Sequence, residues 1–191
     1  MRQWEGGRLV GHMDEGRQKV REPMSEAEFS QWFDVLYTRY ADDVIRVSYF
    51  YLGDRAKAED VCHDVFVSLF TNRPDLEEGK EKSWLLKVAL NRCRDIWRSA
   101  WLRRVVMGSP VFEVIPGPDS IGQHLEKTEV LQAVNSLPPE FREIFILHYY
   151  QGYGISEIAQ ITGVAEGTIS SRLSRGRKKL QTVLGEGGEE A

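Results

Sequence analysis

Residues 154–180 constrain this chain more than any other stretch, because two apolar stripes of helical period meet there at one glycine. Ile155, Ile158 and Ala159 are apolar at i, i+3 and i+4, the spacing of one buried helical face. Gly163 follows, where a tight turn between two helices needs a residue that tolerates positive φ. After Val164 a second stripe runs through Ile169, Leu173, Gly176 and Leu180. With that stripe turned inward, Ser170, Ser171, Ser174, Arg175 and Lys178 lie on the other face, flanked by Arg172, Arg177 and Lys179. From Glu166 to Leu184 five Lys/Arg stand against one acid, a balance of +4 in a chain whose net charge is −4. A basic helix held on a small helical core has the shape and charge to enter a DNA major groove.

The overall balance alone would argue against a nucleic-acid partner. A phosphate backbone meets the local field, however, and this charge is not spread evenly. A second cationic stretch lies earlier in the chain. From Lys82 to Arg104 there are seven Lys/Arg and one acid, Asp95, with Trp97 and Trp101 interleaved. Cations with aromatics in one groove suit an unpaired strand, whose bases can be stacked or pocketed. Trp84 shares a face with Leu85 and Val88 and reads as core.

The 191 residues suffice for one large or two small domains. No apolar run approaches the ~20 residues of a membrane span, and no signal-peptide pattern is present. Cys62 and Cys93 lack ligand spacing and read as two buried thiols in a reducing cytoplasm, not as a zinc site. No cofactor motif occurs. The four histidines sit in unrelated contexts without a catalytic signature, so an enzyme is not expected.

The pattern elsewhere is helical, with no strand signal. Residues 1–24 are polar, Gly-rich and aperiodic, and read as a disordered extension. Over residues 25–104 four helices are expected. Ser25 with Glu28 forms a capping box before Phe29, Trp32, Phe33 and Leu36. A second helix is expected from about Asp42 to Leu52, stopped by Gly53. Asp54 caps a third, which holds Ala58, Val61, Val65, Phe66 and Leu69 and ends at Asn72, Arg73 and Pro74. The fourth begins near Ser83 and runs to about Trp101. Residues 105–124 carry Gly108, Pro110, Pro116, Gly117, Pro118 and Gly122, the composition of a flexible linker. A second helical domain follows over 125–184, with Pro138 and Pro139 opening one helix, and an acidic tail occupies 185–191. The expected fold is all-α, two small helical domains joined by a linker.

Read together, the two halves resemble a bacterial RNA polymerase sigma factor of the extracytoplasmic-function (ECF) type. Leu137 to Glu143 followed by Phe145 is similar to the opening of that family's region 4. Gly152 to Ala159 resembles its first helix-turn-helix helix; Glu166 to Leu173 with Arg175, Gly176 and Arg177 resembles its recognition helix. Leu52-Gly53-Asp54, Ala58 to Val61 and Asp64 to Phe66 resemble region 2.2. Ser83-Trp84-Leu85 with Asn91, Asp95 and Arg98 resembles the helix that reads the melted promoter element. Gly154 and Gly176 depart from the family's common choices, a Ser or Thr cap and an Ala.

The resemblance implies a factor that directs core RNA polymerase to promoters and assists melting. Its implied minus-thirty-five contacts are Thr168, Ser170, Ser171, Arg172, Ser174, Arg175, Arg177 and Lys178, with Arg175 as main base reader. Its implied contacts to the opened minus-ten strand are Asn91, Arg92, Arg94 and Arg98. Glu59, Asp60, Asp64 and Phe66 would meet the β′ clamp of the polymerase, whose β flap is a further implied contact. An anti-sigma factor is a further implied partner, in the cytoplasm and without membrane insertion. Two other readings share some of these features. A one-component regulator would explain residues 154–180 but not the Trp-bearing basic helix or the acidic third helix. A helical adaptor would need neither DNA-facing surface.

Overall fold

The computed structural model describes residues 24–106 and 129–186, all of whose regular elements are helical. The proposed extension, most of the linker and the end of the tail lie outside the described residues. Among the described residues there are seven α-helices: α1 (Glu26–Leu52), α2 (Arg55–Asn72), α3 (Glu81–Val106), α4 (Glu129–Ser136), α5 (Pro139–Phe145), α6 (Ile155–Thr162) and α7 (Glu166–Glu186). A π-helical turn, Ile146–Tyr150, extends α5.

Local signals explain most boundaries. Ser25 Oγ accepts from Glu28 N, and the Glu28 carboxylate accepts from Ser25 N at 2.8 Å, so the capping box forms. Gly53 closes α1 in the left-handed region at φ 67°. Asp54 caps α2 by accepting from Lys57 N at 3.1 Å. Arg73 ends α2 at φ 41°, a strained backbone for a non-glycine residue. Its guanidinium is held by two 2.7 Å bonds to Glu26 and lies 4.3 Å over the Phe29 ring.

The sequence reading divides residues 25–52 into two helices; the structure has one, of 27 residues. The polar break at Asp42 and Asp43 is absorbed on the helix surface, where Asp43 pairs with Lys82 of α3 at 2.7 Å. Val44, Val47 and Tyr51 continue the buried face begun by Phe29 and Leu36. The fourth helix starts two residues before Ser83 and runs past Trp101 to Val106.

α1, α2 and α3 form a first bundle around Val44, Val47, Val61, Val65, Leu69, Leu85, Leu86 and Leu90, all essentially without exposure. Fully burying a side chain of that kind contributes about 1.5–3 kcal/mol. α5, the π turn, α6 and α7 form a second bundle on Ile144, Leu147, Ile158 and Ile169. The two bundles are not held apart. α4, α5 and the π turn pack on α1, α6 packs on α3, and one apolar cluster runs through both bundles.

Candidate nucleic-acid and polymerase interfaces

The helix-turn-helix is built as the spacing predicts. The Glu157 carboxylate accepts from Gly154 N at 2.8 Å, so half of a capping box survives without a cap side chain. Gly163 makes the turn at φ 73°. Ile169 is fully buried and Leu173 nearly so, which pins one face of α7. Thr168, Ser170, Ser174, Arg175, Arg177 and Lys178 are exposed on the rest of it. Ser171 and Arg172 are half-buried, and Ser171 Oγ donates to Thr168 O at 2.9 Å. That bond leaves Ser171 less free for DNA than Ser170 or Ser174.

Gly176 is buried, and the reason is a close approach. A Cβ at this position would stand 2.8 Å from Cζ of Phe145. The missing side chain lets α7 lie directly on the Phe145 ring.

On α3, Lys87, Asn91, Arg94 and Arg98 recur at four, three and four residues and so share a face. Lys87, Asn91, Arg92 and Arg98 are exposed; Arg94 is partly covered. Arg98 pairs with Asp95 at 3.6 Å, and both remain more than half exposed. Trp97 is half-buried against the core, and the Trp101 side chain lies outside the described residues. Arg94 Nη1 donates to Asn91 Oδ1 at 2.8 Å, and its Nε donates to Glu143 Oε2 at 2.7 Å. Arg94, expected to hold the unpaired strand, is thus tied to the second bundle, while the bond to Asn91 stays within α3.

On α2, Glu59, Asp60 and Asp64 are exposed. Glu59 pairs with Arg55 at 2.7 Å, and Asp64 stands 3.9 Å from Arg92 of α3. Phe66 does not join them. It is 3% exposed and meets Tyr37 and Phe33 edge-on at 4.8 and 5.9 Å. Its ring therefore shapes the α1–α2 packing and is not available as a contact surface. Val67 and Phe70, about half exposed, are the apolar groups that α2 presents outward.

Among the described residues no cluster of His, Cys, Asp and Glu could hold a metal. No described helix is long and apolar enough to cross a membrane. Burial pushes the Cys62 and Cys93 thiols up to about 11 and about 12, so both are neutral at pH 7.

Comparison with known proteins decides the family. Residues 36–103 match Sigma-70 region 2, and residues 127–180 match Sigma-70, region 4. The ECF RNA polymerase sigma factor SigE of Mycolicibacterium smegmatis is 29% identical over 164 residues, 83% of this chain and 63% of SigE. The chain thus spans less than two thirds of that relative's length. The ECF RNA polymerase sigma factor SigM of Mycobacterium tuberculosis is 30% identical over 154 residues, 80% of this chain and 77% of SigM. This chain belongs to the ECF sigma factors. The sigma factor RpoE of Bartonella quintana, solved in complex with the anti-sigma factor NepR, superposes with a TM-score of 0.66 at 26% identity. That match covers 81% of this chain and 97% of RpoE.

In this sigma factor the region 2 match spans most of α1 with α2 and α3, and the region 4 match spans α4 to α7. The sequence reading missed the residues that join them. Arg142 donates to the carbonyls of Tyr51, at the end of α1, and of Asn135, and to Leu137 O at 3.1 Å. Burial pulls its pKa below the ordinary guanidinium value, partly offset by Tyr51. Glu143 is 4% exposed beside it. The signal was present: two adjacent charges inside the apolar run from Phe141 to Leu147 require partners when buried.

Proposed function

We propose that this sigma factor docks on core RNA polymerase through the outer face of α2, reads duplex promoter DNA with α7 and holds the melted strand on α3. The observation that carries the reading is the split of one acidic chain into two cationic helix faces, α3 in region 2 and α7 in region 4, each backed by a buried stripe. α7 presents short hydroxyls and Arg175 to base edges, while Arg172, Arg177 and Lys178 hold phosphates. Arg175 pairs with a guanine edge, the commonest specific contact of this kind. Asn91, Arg92, Arg94 and Arg98 hold the unpaired strand, and binding that strand offsets the cost of unstacking. The factor acts by binding in the cytoplasm and supplies no catalytic step.

Glu59, Asp60 and Asp64 form the charged part of the polymerase-facing surface, beside the exposed Val67 and Phe70. This surface meets the β′ clamp and region 4 meets the β flap. An anti-sigma factor is a further partner, by analogy with the RpoE–NepR complex. A one-component regulator is disfavoured, since it would not carry a region 2 bundle.

Asp64→Arg tests the docking surface. It is expected to weaken binding of core polymerase about tenfold, measured by fluorescence anisotropy, with an unchanged helical circular-dichroism spectrum. Unchanged affinity would place the docking surface elsewhere.

A further inference from the structure

Among the described residues, Arg73 at the end of α2 is the one non-glycine residue with positive φ. An arginine at φ 41° carries a backbone cost that glycine would avoid, so the reason for arginine lies in its side chain. Its Nη1 and Nη2 each donate to one carboxylate oxygen of Glu26 at 2.7 Å. Such a fork pairing fixes orientation as well as distance, which a lysine would not do. The same guanidinium lies over the buried Phe29 ring and 5.9 Å from the Phe70 ring. The first turn of α1 thus grips the point where the chain leaves α2.

What leaves α2 there is the loop 73–80, which leads into α3. Pro74 restricts its first step. Leu76 packs against the core, and Lys80 N donates to Glu77 O at 3.0 Å. Lys80 O accepts from Ser83 Oγ at 2.8 Å and from Trp84 N at 3.0 Å, which joins the loop to α3. Lys80 lines a hollow of about 240 Å³ beside Trp84 and Lys87. The same loop exposes Asp75, Glu77 and Glu78. Carboxylates repel a phosphate backbone, so a loop carrying three acids beside a strand-holding face needs a fixed path.

We propose that Arg73 and Glu26 are positioning residues for strand capture: their fork pair sets the exit of loop 73–80, so that Lys80 meets the unpaired strand and the three acids do not. The proposal rests on the assignment of α3 as the strand-holding helix. Neither residue of the pair lies on α3. Their contribution is preorganisation, because a loop already ordered loses less freedom when the strand binds. The two side chains are 39% and 81% exposed, so the pair adds little to global stability and acts on the loop.

The test titrates core polymerase loaded with the full chain into fluorescein-labelled oligonucleotides of mixed sequence, single-stranded and duplex, read by anisotropy. Glu26→Ala removes an acid, so charge alone would tighten binding of both probes. Positioning has the opposite sign: about fivefold weaker binding of the single strand, with duplex affinity unchanged. In the purified chain, amide exchange over residues 75–80 is expected to rise about tenfold in this variant, with the α1–α2 core unchanged. Arg73→Gly keeps the turn without strain and is expected to reproduce both effects. Unchanged or tighter single-strand binding by folded Glu26→Ala would overturn the proposal, and so would weaker binding with unchanged loop exchange. If Glu26→Ala loses its helical signal, Arg73→Gly decides by the same two readouts. A parent holoenzyme that binds the single strand no better than core polymerase alone would overturn the strand-holding assignment itself, and the proposal with it.

Discussion

Gly176 sets the pose of the recognition helix through an atom it lacks. From sequence it reads as a local weakness, worth up to about 1 kcal/mol of helix propensity relative to Ala. The structure supplies the reason, a Phe145 ring lying where a Cβ would go. Gly176→Ala is therefore expected to destabilise by about 1–3 kcal/mol net, because overpacking outweighs the propensity gain. Urea unfolding checks the sign; stabilisation would contradict the close approach. Arg175 and Lys178 are both exposed on α7, yet their expected roles differ. Arg175→Ala is expected to cost about 1–3 kcal/mol on a cognate upstream element and much less on scrambled duplex, whereas Lys178→Ala weakens both alike. Equal losses in a gel-shift titration would remove the assignment. Phe66 marks a limit of residue-level reading. Motif position placed it with the acids of α2, but its neighbours Val65 and Leu69 share its inward side, and packing buries its ring. Only the three-dimensional arrangement of Phe33, Tyr37 and Phe66 distinguishes the two outcomes.

At the scale of elements, boundaries with chemical signals were legible and continuity was not. Ser25, Asp54 and Gly163 act as caps or stops in the positions their side chains or backbone freedom allow. α1 was divided because Tyr40 to Asp43 interrupts the apolar pattern, and the compensating Lys82 lies on a helix whose register the sequence does not give. The π turn after α5 was invisible for a similar reason. Its apolar residues Ile146 and Leu147 fit any helical period, while Gln151 N bonding to Ile146 O is a tertiary outcome. The α2 cap carries a pH dependence with a definite sign. The Lys57 ammonium and N–H hold the Asp54 carboxyl below its ordinary value of 3.8. The folded state therefore binds fewer protons, and this contribution is complete above the unfolded pKa and lost as pH falls through the folded one. Asp54→Asn keeps a capping oxygen but not the charge. Its thermal midpoint is expected to fall less steeply than the parent's between about pH 4.5 and pH 2.5. Parallel pH profiles would show that Asp54 does not carry this dependence.

For the whole molecule, the order of the two helical sets and the two cationic faces were readable because each rests on local periodicity and charge. The way the bundles meet was not. It depends on Arg142 with Tyr51 and on Arg94 with Glu143, pairs separated by 91 and 49 residues that no local pattern couples. Those contacts make the described residues one packed body rather than two independent modules. The central claim is that this packed body becomes a promoter-reading subunit when it joins the polymerase. Run-off transcription on genomic fragments, with start sites mapped for core polymerase alone and for core polymerase with the purified chain, tests it most directly. New discrete start sites that require the chain and share an upstream element are the predicted result. Identical transcripts with and without it would contradict the account.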